Sequence, residues 1–183
     1  MHGGGGQGKD WVTAGLVQWL TGQPVTGNLL SGVLMGGWGP LGTSYNVLIF
    51  DNRGHWVQTG QAAIAMVRKL PGVDSQRVAT LGGSAGADGA VGACEADGCV
   101  GVLALSPTGS VYGETFAAVE ARVVAQGKAV WCVATDGDGG CPRGEGRGYR
   151  TWVYAGMAHG LGMLGVKGVE DVMREFLQTV VSG

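Results

Sequence analysis

The chain has 183 residues, 45% apolar and 14% charged, enough for one packed domain spanning residues 1–183 and too well supplied with core-forming side chains for wholesale disorder. A net charge of −2 argues against a nucleic-acid partner. No apolar run approaches the roughly 18 residues of a membrane helix, and no secretory signal opens the chain, so the default expectation is a cytoplasmic protein without a membrane partner. Residues 10–20 place Val12, Leu16, Trp19 and Leu20 at helical spacing behind an acidic first turn. Residues 45–50 (YNVLIF) read as a compact buried strand. Residues 61–70 return to helical spacing through Ile64, Val67 and Leu70, and Pro71-Gly72 ends them. A second strand covers 77–81, and a helix of small residues covers 85–96. Residues 100–105 (VGVLAL) form a third strand, closed by Ser106-Pro107. A helix over 114–126 ends at Gly127. Strands follow at 129–134 (AVWCVA) and 151–155 (TWVYA), and 169–181 form a last amphipathic helix.

Strands alternating with helices, and apolar on both faces, predict an α/β fold with a mostly parallel sheet covered by helices on both sides. The irregular stretch is 21–44, which holds the apolar cluster Leu29, Leu30, Val33, Leu34 and Met35. Glycine, at 38 residues, is far above its ordinary share. Each glycine inside an element costs about 0.5–1 kcal/mol, so most are expected in turns and loops. Four cysteines (Cys94, Cys99, Cys132, Cys141) lack the paired spacing of a zinc site. The spacing of Cys94 and Cys99 permits a short disulfide, but free buried thiols are the expectation.

The residues 82–86 (GGSAG) match G-x-S-x-G, directly after a predicted strand and directly before a helix. That is the setting of a nucleophile elbow, a sharp turn that projects its serine, Ser84, above the sheet at a helix N-terminus. Serine needs a base and an orienting acid. Of the three histidines, His2, His55 and His159, the last lies on a loop just past the strand 151–155. Catalytic loops collect at that end of parallel sheets, which singles out His159. The acid is expected after strand 129–134, where Asp136 and Asp138 both qualify. Asp136 and Asp138 also imitate the start of a calcium loop, but its twelfth position is Arg147 where a bidentate Glu belongs, so no metal is expected.

The order Ser84, Asp138 or Asp136, His159 belongs to one fold, and the chain resembles an α/β-hydrolase, close to the small serine esterases and dienelactone-hydrolase-like members. His2-Gly3-Gly4-Gly5 resembles the loop that supplies an oxyanion-hole amide. Asp51-Asn52-Arg53-Gly54-His55 resembles the family's D-x-R-G-H-G turn, with Trp56 in place of the last glycine. The elbow, the acid loop and His159-Gly160 complete the likeness. The resemblance implies hydrolysis of a small acyl ester by Ser84, His159 and Asp138, with an oxyanion hole of Ala85 and Gly3 or Gly4 and no cofactor. It favours Asp138 because the family sets its acid at the end of that loop. The single helix between strands 100–105 and 129–134 leaves no chain for a large lid. Oligomeric state is not legible.

A rival motif is residues 3–9 (GGGGQGK), which satisfies G-x-x-x-x-G-K. Asp10 stands where Ser or Thr should ligate Mg²⁺ and no strand precedes it, which disfavours a nucleotide binder. In the resembling fold a central strand lies between those matching 45–50 and 77–81, and the loop that follows it corresponds to His2. The expectation is therefore an N-terminally truncated sheet with a gap about two strand spacings, roughly 9.5 Å, wide. The competing functional reading is then a catalytically impaired fragment. A third reading makes 29–35 (LLSGVLM) a surrogate strand, which Ser31 and Gly32 disfavour.

Overall fold

The computed structural model of the protein describes residues 1–25, 35, 38–52 and 54–183. Its elements in chain order are α1 (Lys9–Thr13), α2 (Leu16–Leu20), α3 (Trp56–Val67), β1 (Val78–Gly83), α4 (Ala85–Ala93), β2 (Cys99–Leu105), β3 (Ser110–Val111), β4 (Glu114–Thr115), α5 (Phe116–Ala125), β5 (Ala129–Thr135), β6 (Tyr149–Tyr154), a 3₁₀ turn (Gly160–Gly165) and α6 (Val169–Phe176), which continues as a π-helical turn (Leu177–Val181). The main sheet runs β1-β2-β5-β6 with every pairing parallel, and β3-β4 is a separate small hairpin. Among the described residues, no helix is long and apolar enough to cross a membrane.

Side chains of a strand alternate between its two faces, and β2 and β5 are apolar on both. Leu103, Leu105, Trp131 and Val133 face α1, α2 and α6 through Trp11, Leu16, Met173 and Phe176. Val102, Ala104, Val130 and Cys132 face α3, α4 and α5 through Ile64, Ala90, Phe116 and Val119. The predicted α/β architecture with helices on both faces is the one observed.

Glycine departs from expectation in an instructive way. Among the described residues, sixteen glycines have positive φ and lie at turns and element ends, as expected. Gly86, Gly89 and Gly92, however, lie inside α4. A Cβ on Gly89 would come within 2.3 Å of Trp56, and one on Gly92 within 2.6 Å of Val57, so this bare face is what admits α3. At Gly86 a Cβ would lie 2.2 Å from the carbonyl oxygen of His2, a backbone atom that cannot swing aside. Gly86→Ala is therefore expected to destabilise the protein by about 1–3 kcal/mol, measured as a lower urea midpoint at unchanged slope.

Several predicted elements need correction. Residues 10–20 are two short helices, because the chain turns at Gly15 with φ of +90°. Glu114 and Thr115 belong to β4, and α5 starts only at Phe116 with Thr115 as its N-cap, accepting from Ala118 N–H at 3.2 Å. Residues 45–50 are not a strand. Tyr45 N–H donates to Leu20 O at 2.8 Å, while Leu48 and Ile49 stay 38% and 39% exposed. Between them and β1 lies a cavity of about 400 Å³, so neither side meets a strand partner there. Of the 29–35 cluster, Met35 is described and buried in the core. The rest of the surrogate strand expected over 29–35, residues 29–34, and Arg53 lie outside the described residues.

The expectation of free thiols is also overturned. Cys94 pairs with Cys99, and Cys132 with Cys141, with Cα separations of 5.3 and 5.8 Å. Cys94 ends α4 and Cys99 opens β2, and Gly98 at φ +78° turns the chain between them. Cys141 returns to β5 after the loop that carries Asp138.

Candidate active site

The strand β1 ends at Gly83, and the next residue holds backbone angles of φ 57° and ψ −133°. That conformation is sparsely populated for a residue with a Cβ. Ser84 keeps it because its N–H is fixed to Leu105 O at 2.9 Å and its carbonyl accepts from Ala87 N–H at 2.8 Å. Its neighbours are glycines for a steric reason. A Cβ on Gly82 would fall 2.0 Å from Gly86 O, and one on Gly3 would fall 2.9 Å from the Cβ of Ser84.

Ser84 Oγ–H donates to Nε2 of His159 at 2.8 Å. The other ring nitrogen, Nδ1–H, donates to Oδ1 of Asp138 at 2.7 Å. A carboxylate only accepts, so Asp138 fixes the proton on Nδ1 and leaves Nε2 free to take one. The His159 side chain is 47% exposed and that of Asp138 only 16%. The three residues singled out in the sequence thus form one hydrogen-bonded chain at the C-terminal ends of β1, β5 and β6.

Asp136 lies in the same loop but does other work. Its Oδ1 accepts from Gly156 N–H at 2.9 Å, and Thr135 Oγ1 donates to Ala158 O at 3.0 Å. These bonds tie the acid loop to the histidine loop, and the Cys132–Cys141 bridge ties it back to β5. Replacing both Cys132 and Cys141 by alanine is expected to lower stability by about 2–4 kcal/mol in urea unfolding.

Gly3 lies beside Ser84 and Gly4 follows it in the chain, and among the described residues neither N–H meets a backbone acceptor. Ala85 N–H belongs to the first turn of α4, which has no intrahelical acceptor. The turn that carries Gly3 is held by His2, a buried ring whose Nε2 accepts from Asn52 N–H at 2.8 Å, which leaves Nδ1–H to donate to Gly3 O at 2.8 Å. His2 is therefore a structural clamp here. His55 precedes α3 and has no hydrogen bond to Ser84 or Asp138.

Asp88 escaped the sequence reading. It is buried in α4 and accepts from Thr108 N–H, Thr108 Oγ1 and Gly109 N–H, at 2.8, 2.6 and 3.2 Å. Burial pushes its pKa above the ordinary carboxylate value, against the pull of those donors. It pins the loop after β2 on which Gly140 packs, and its signal was a lone charge in the run AGADGAVGA.

The glycine run 3–9 has the wrong electrostatics for phosphate. Gln7 N–H donates to Asp10 Oδ2 and Gly8 N–H to Asp51 Oδ1, both at 2.7 Å, so carboxylates already occupy those amides. No group of three or more His, Cys, Asp or Glu able to hold a metal occurs among the described residues. In comparisons with protein-family models, curated proteins and solved structures, none matches this chain.

Proposed function

We propose that this protein is a serine hydrolase of the α/β-hydrolase kind, cleaving small carboxylic esters through an acyl-enzyme. The observation that carries the reading is the relay Ser84–His159–Asp138, with its bonds of 2.8 and 2.7 Å. In this reading Ser84 Oγ attacks the ester carbonyl as His159 Nε2 takes its proton, and Asp138 stabilises the imidazolium. The same proton then passes to the departing alkoxide. Water, deprotonated by His159, releases the acid from Ser84. The developing oxyanion would be met by Ala85 N–H and by the N–H of Gly3 or Gly4, each worth about 2.7–4 kcal/mol in the transition state. This chemistry calls for neither metal nor cofactor.

The half-exposed His159 supports an open site and a preference for short, soluble acyl groups. Turnover of p-nitrophenyl acetate and butyrate is expected to exceed that of the palmitate by about tenfold or more in kcat/KM. A preference for palmitate with activation at an interface would overturn the lidless reading. Faster cleavage of an anilide or thioester would keep the relay and change the substrate class.

A second reading, a catalytically impaired relative, draws on the cavity beside β1. It predicts the same relay geometry without measurable ester turnover. For a nucleotide binder the occupied amides of Gln7 and Gly8 speak against, and calorimetry with ATP is expected to show no heat.

A further inference from the structure

The glycine loop beside Ser84 is held at two consecutive carbonyl groups. Gly3 O accepts from Nδ1–H of His2 at 2.8 Å and from Gly6 N–H at 3.1 Å. His2 O accepts from the indole Nε1–H of Trp56 at 3.2 Å, and among the described residues Trp56 is its only donor. A trans peptide is planar and carries its N–H opposite its C=O, so each held carbonyl also fixes the amide that follows it. Trp56 thereby sets the Gly3 N–H, and the His2 ring sets the Gly4 N–H. The first of these peptides borders the nucleophile, since a Cβ on Gly3 would fall 2.9 Å from the Cβ of Ser84. Trp56 is itself fixed. Gly89 of α4 leaves room for it, as a Cβ there would lie 2.3 Å from the Cβ of Trp56. Its backbone N–H donates to the hydroxyl of Tyr112, which in turn donates to Gly54 O at 2.6 Å. Trp56 also stands where the resembling turn D-x-R-G-H-G has its last glycine, which offers no side chain for this contact.

We propose that Trp56 is a positioning residue for acyl transfer: its indole N–H, through the His2 carbonyl, holds the amides of Gly3 and Gly4 where the substrate oxyanion forms. The inference rests on the hydrolase reading and adds to it a residue outside the relay. Glycine makes the need for such a brace acute. Residues 3–6 are all glycine, the residue with the widest choice of backbone angles, so unbraced amides would rarely aim at one point. An oxyanion hole works because its donors are already oriented when charge develops. Packing alone does not orient them, since a Cβ at Gly4 or Gly5 would meet nothing within 4 Å. Hydrogen bonds must do it, and they converge on His2. Trp56 pins that residue at its carbonyl, and Asn52 N–H pins it at Nε2 of the ring, 2.8 Å away. Tyr112 acts one step further out. Trp56 N–H lies in the first turn of α3, where no intrahelical acceptor exists, and the Tyr112 hydroxyl supplies one.

Trp56→Phe keeps an aromatic ring against α4 and removes the indole N–H. With p-nitrophenyl butyrate, kcat is expected to fall about tenfold while KM stays within about twofold. The second readout is inhibition by a propyl trifluoromethyl ketone. Ser84 Oγ adds to its carbonyl carbon, the carbonyl π pair moves to oxygen as the oxyanion, and the serine proton passes to His159. Its inhibition constant should rise by about the same tenfold factor, because the adduct needs the same amides. The pH profile of kcat/KM should keep its shape, since the relay is untouched. Tyr112→Phe, at an exposed side chain, removes the hydroxyl that holds the Trp56 N–H and is expected to cost about threefold in the same readouts. It carries the test if Trp56→Phe does not fold. The double variant should lose no more than Trp56→Phe alone, as Tyr112 acts through Trp56. A kcat loss without weaker ketone inhibition, or with a shifted pH profile, would make Trp56 merely structural and overturn the proposal. Unchanged kcat in Trp56→Phe, or in Tyr112→Phe where that variant stands in for it, would overturn it too. A parent protein that neither cleaves the ester nor binds the ketone would instead overturn the hydrolase reading, and this inference with it.

Discussion

Ser84→Ala is expected to lower kcat/KM for p-nitrophenyl butyrate by about 10⁴- to 10⁶-fold, and His159→Ala by a similar factor. The two act as one unit, since Ser84 Oγ is a competent nucleophile only when its proton has Nε2 of His159 as a destination 2.8 Å away. The double variant should therefore lose little more than either single one. Additive losses would mean that the two residues contribute separately and that the hydrogen bond between them is not the route of the proton. Stability is a useful control. Ser84 holds its strained φ of 57° through backbone bonds to Leu105 and Ala87, which alanine retains, so the variant should unfold within about 1 kcal/mol of the parent.

The second large effect separates the two aspartates. Asp138→Asn is expected to reduce kcat by about 10³- to 10⁴-fold, because an amide at that position no longer fixes the proton on Nδ1 of His159. The loss should fall in kcat, with KM nearly constant, since the carboxylate touches the ring and not the substrate. Asp136→Asn should cost less than about tenfold. Its Oδ1 accepts from Gly156 N–H at 2.9 Å, a bond that an Asn carbonyl oxygen can keep. A deeper loss at Asp136 than at Asp138 would assign the acid role to the wrong member of the loop.

The parts of this arrangement that sequence exposed are those where local pattern and global fold agree. The run GGSAG between an apolar strand and a small-residue helix located Ser84, and the short supply of histidines located His159 past β6. The strands β2 and β5 were legible because apolar residues on both faces have few other uses in a chain of this size. Long-range geometry was not legible. Cys141 gives no local sign that its loop returns to β5, and Asp88 reads as a stray charge until Thr108 and Gly109 are seen around it. The segment YNVLIF shows the opposite failure. Its composition is that of a buried strand, yet a strand exists only when a neighbour accepts its hydrogen bonds, and here a cavity lies between it and β1. The use of the α4 glycines was not legible, because the value of a bare helix face depends on Trp56 and Val57 from α3.

The central claim is that Ser84 is a nucleophile activated by His159, and covalent labelling tests it most directly. The protein is incubated with diethyl p-nitrophenyl phosphate, which phosphorylates an activated serine and releases p-nitrophenolate, and the adduct is located by peptide mass spectrometry. The account predicts one equivalent of p-nitrophenolate and a single diethylphosphoryl group on Ser84. Labelling should be absent in Ser84→Ala and at least about 10³-fold slower in His159→Ala. Labelling of Ser106 or another hydroxyl instead, or a Ser84 rate unchanged by His159→Ala, would contradict it.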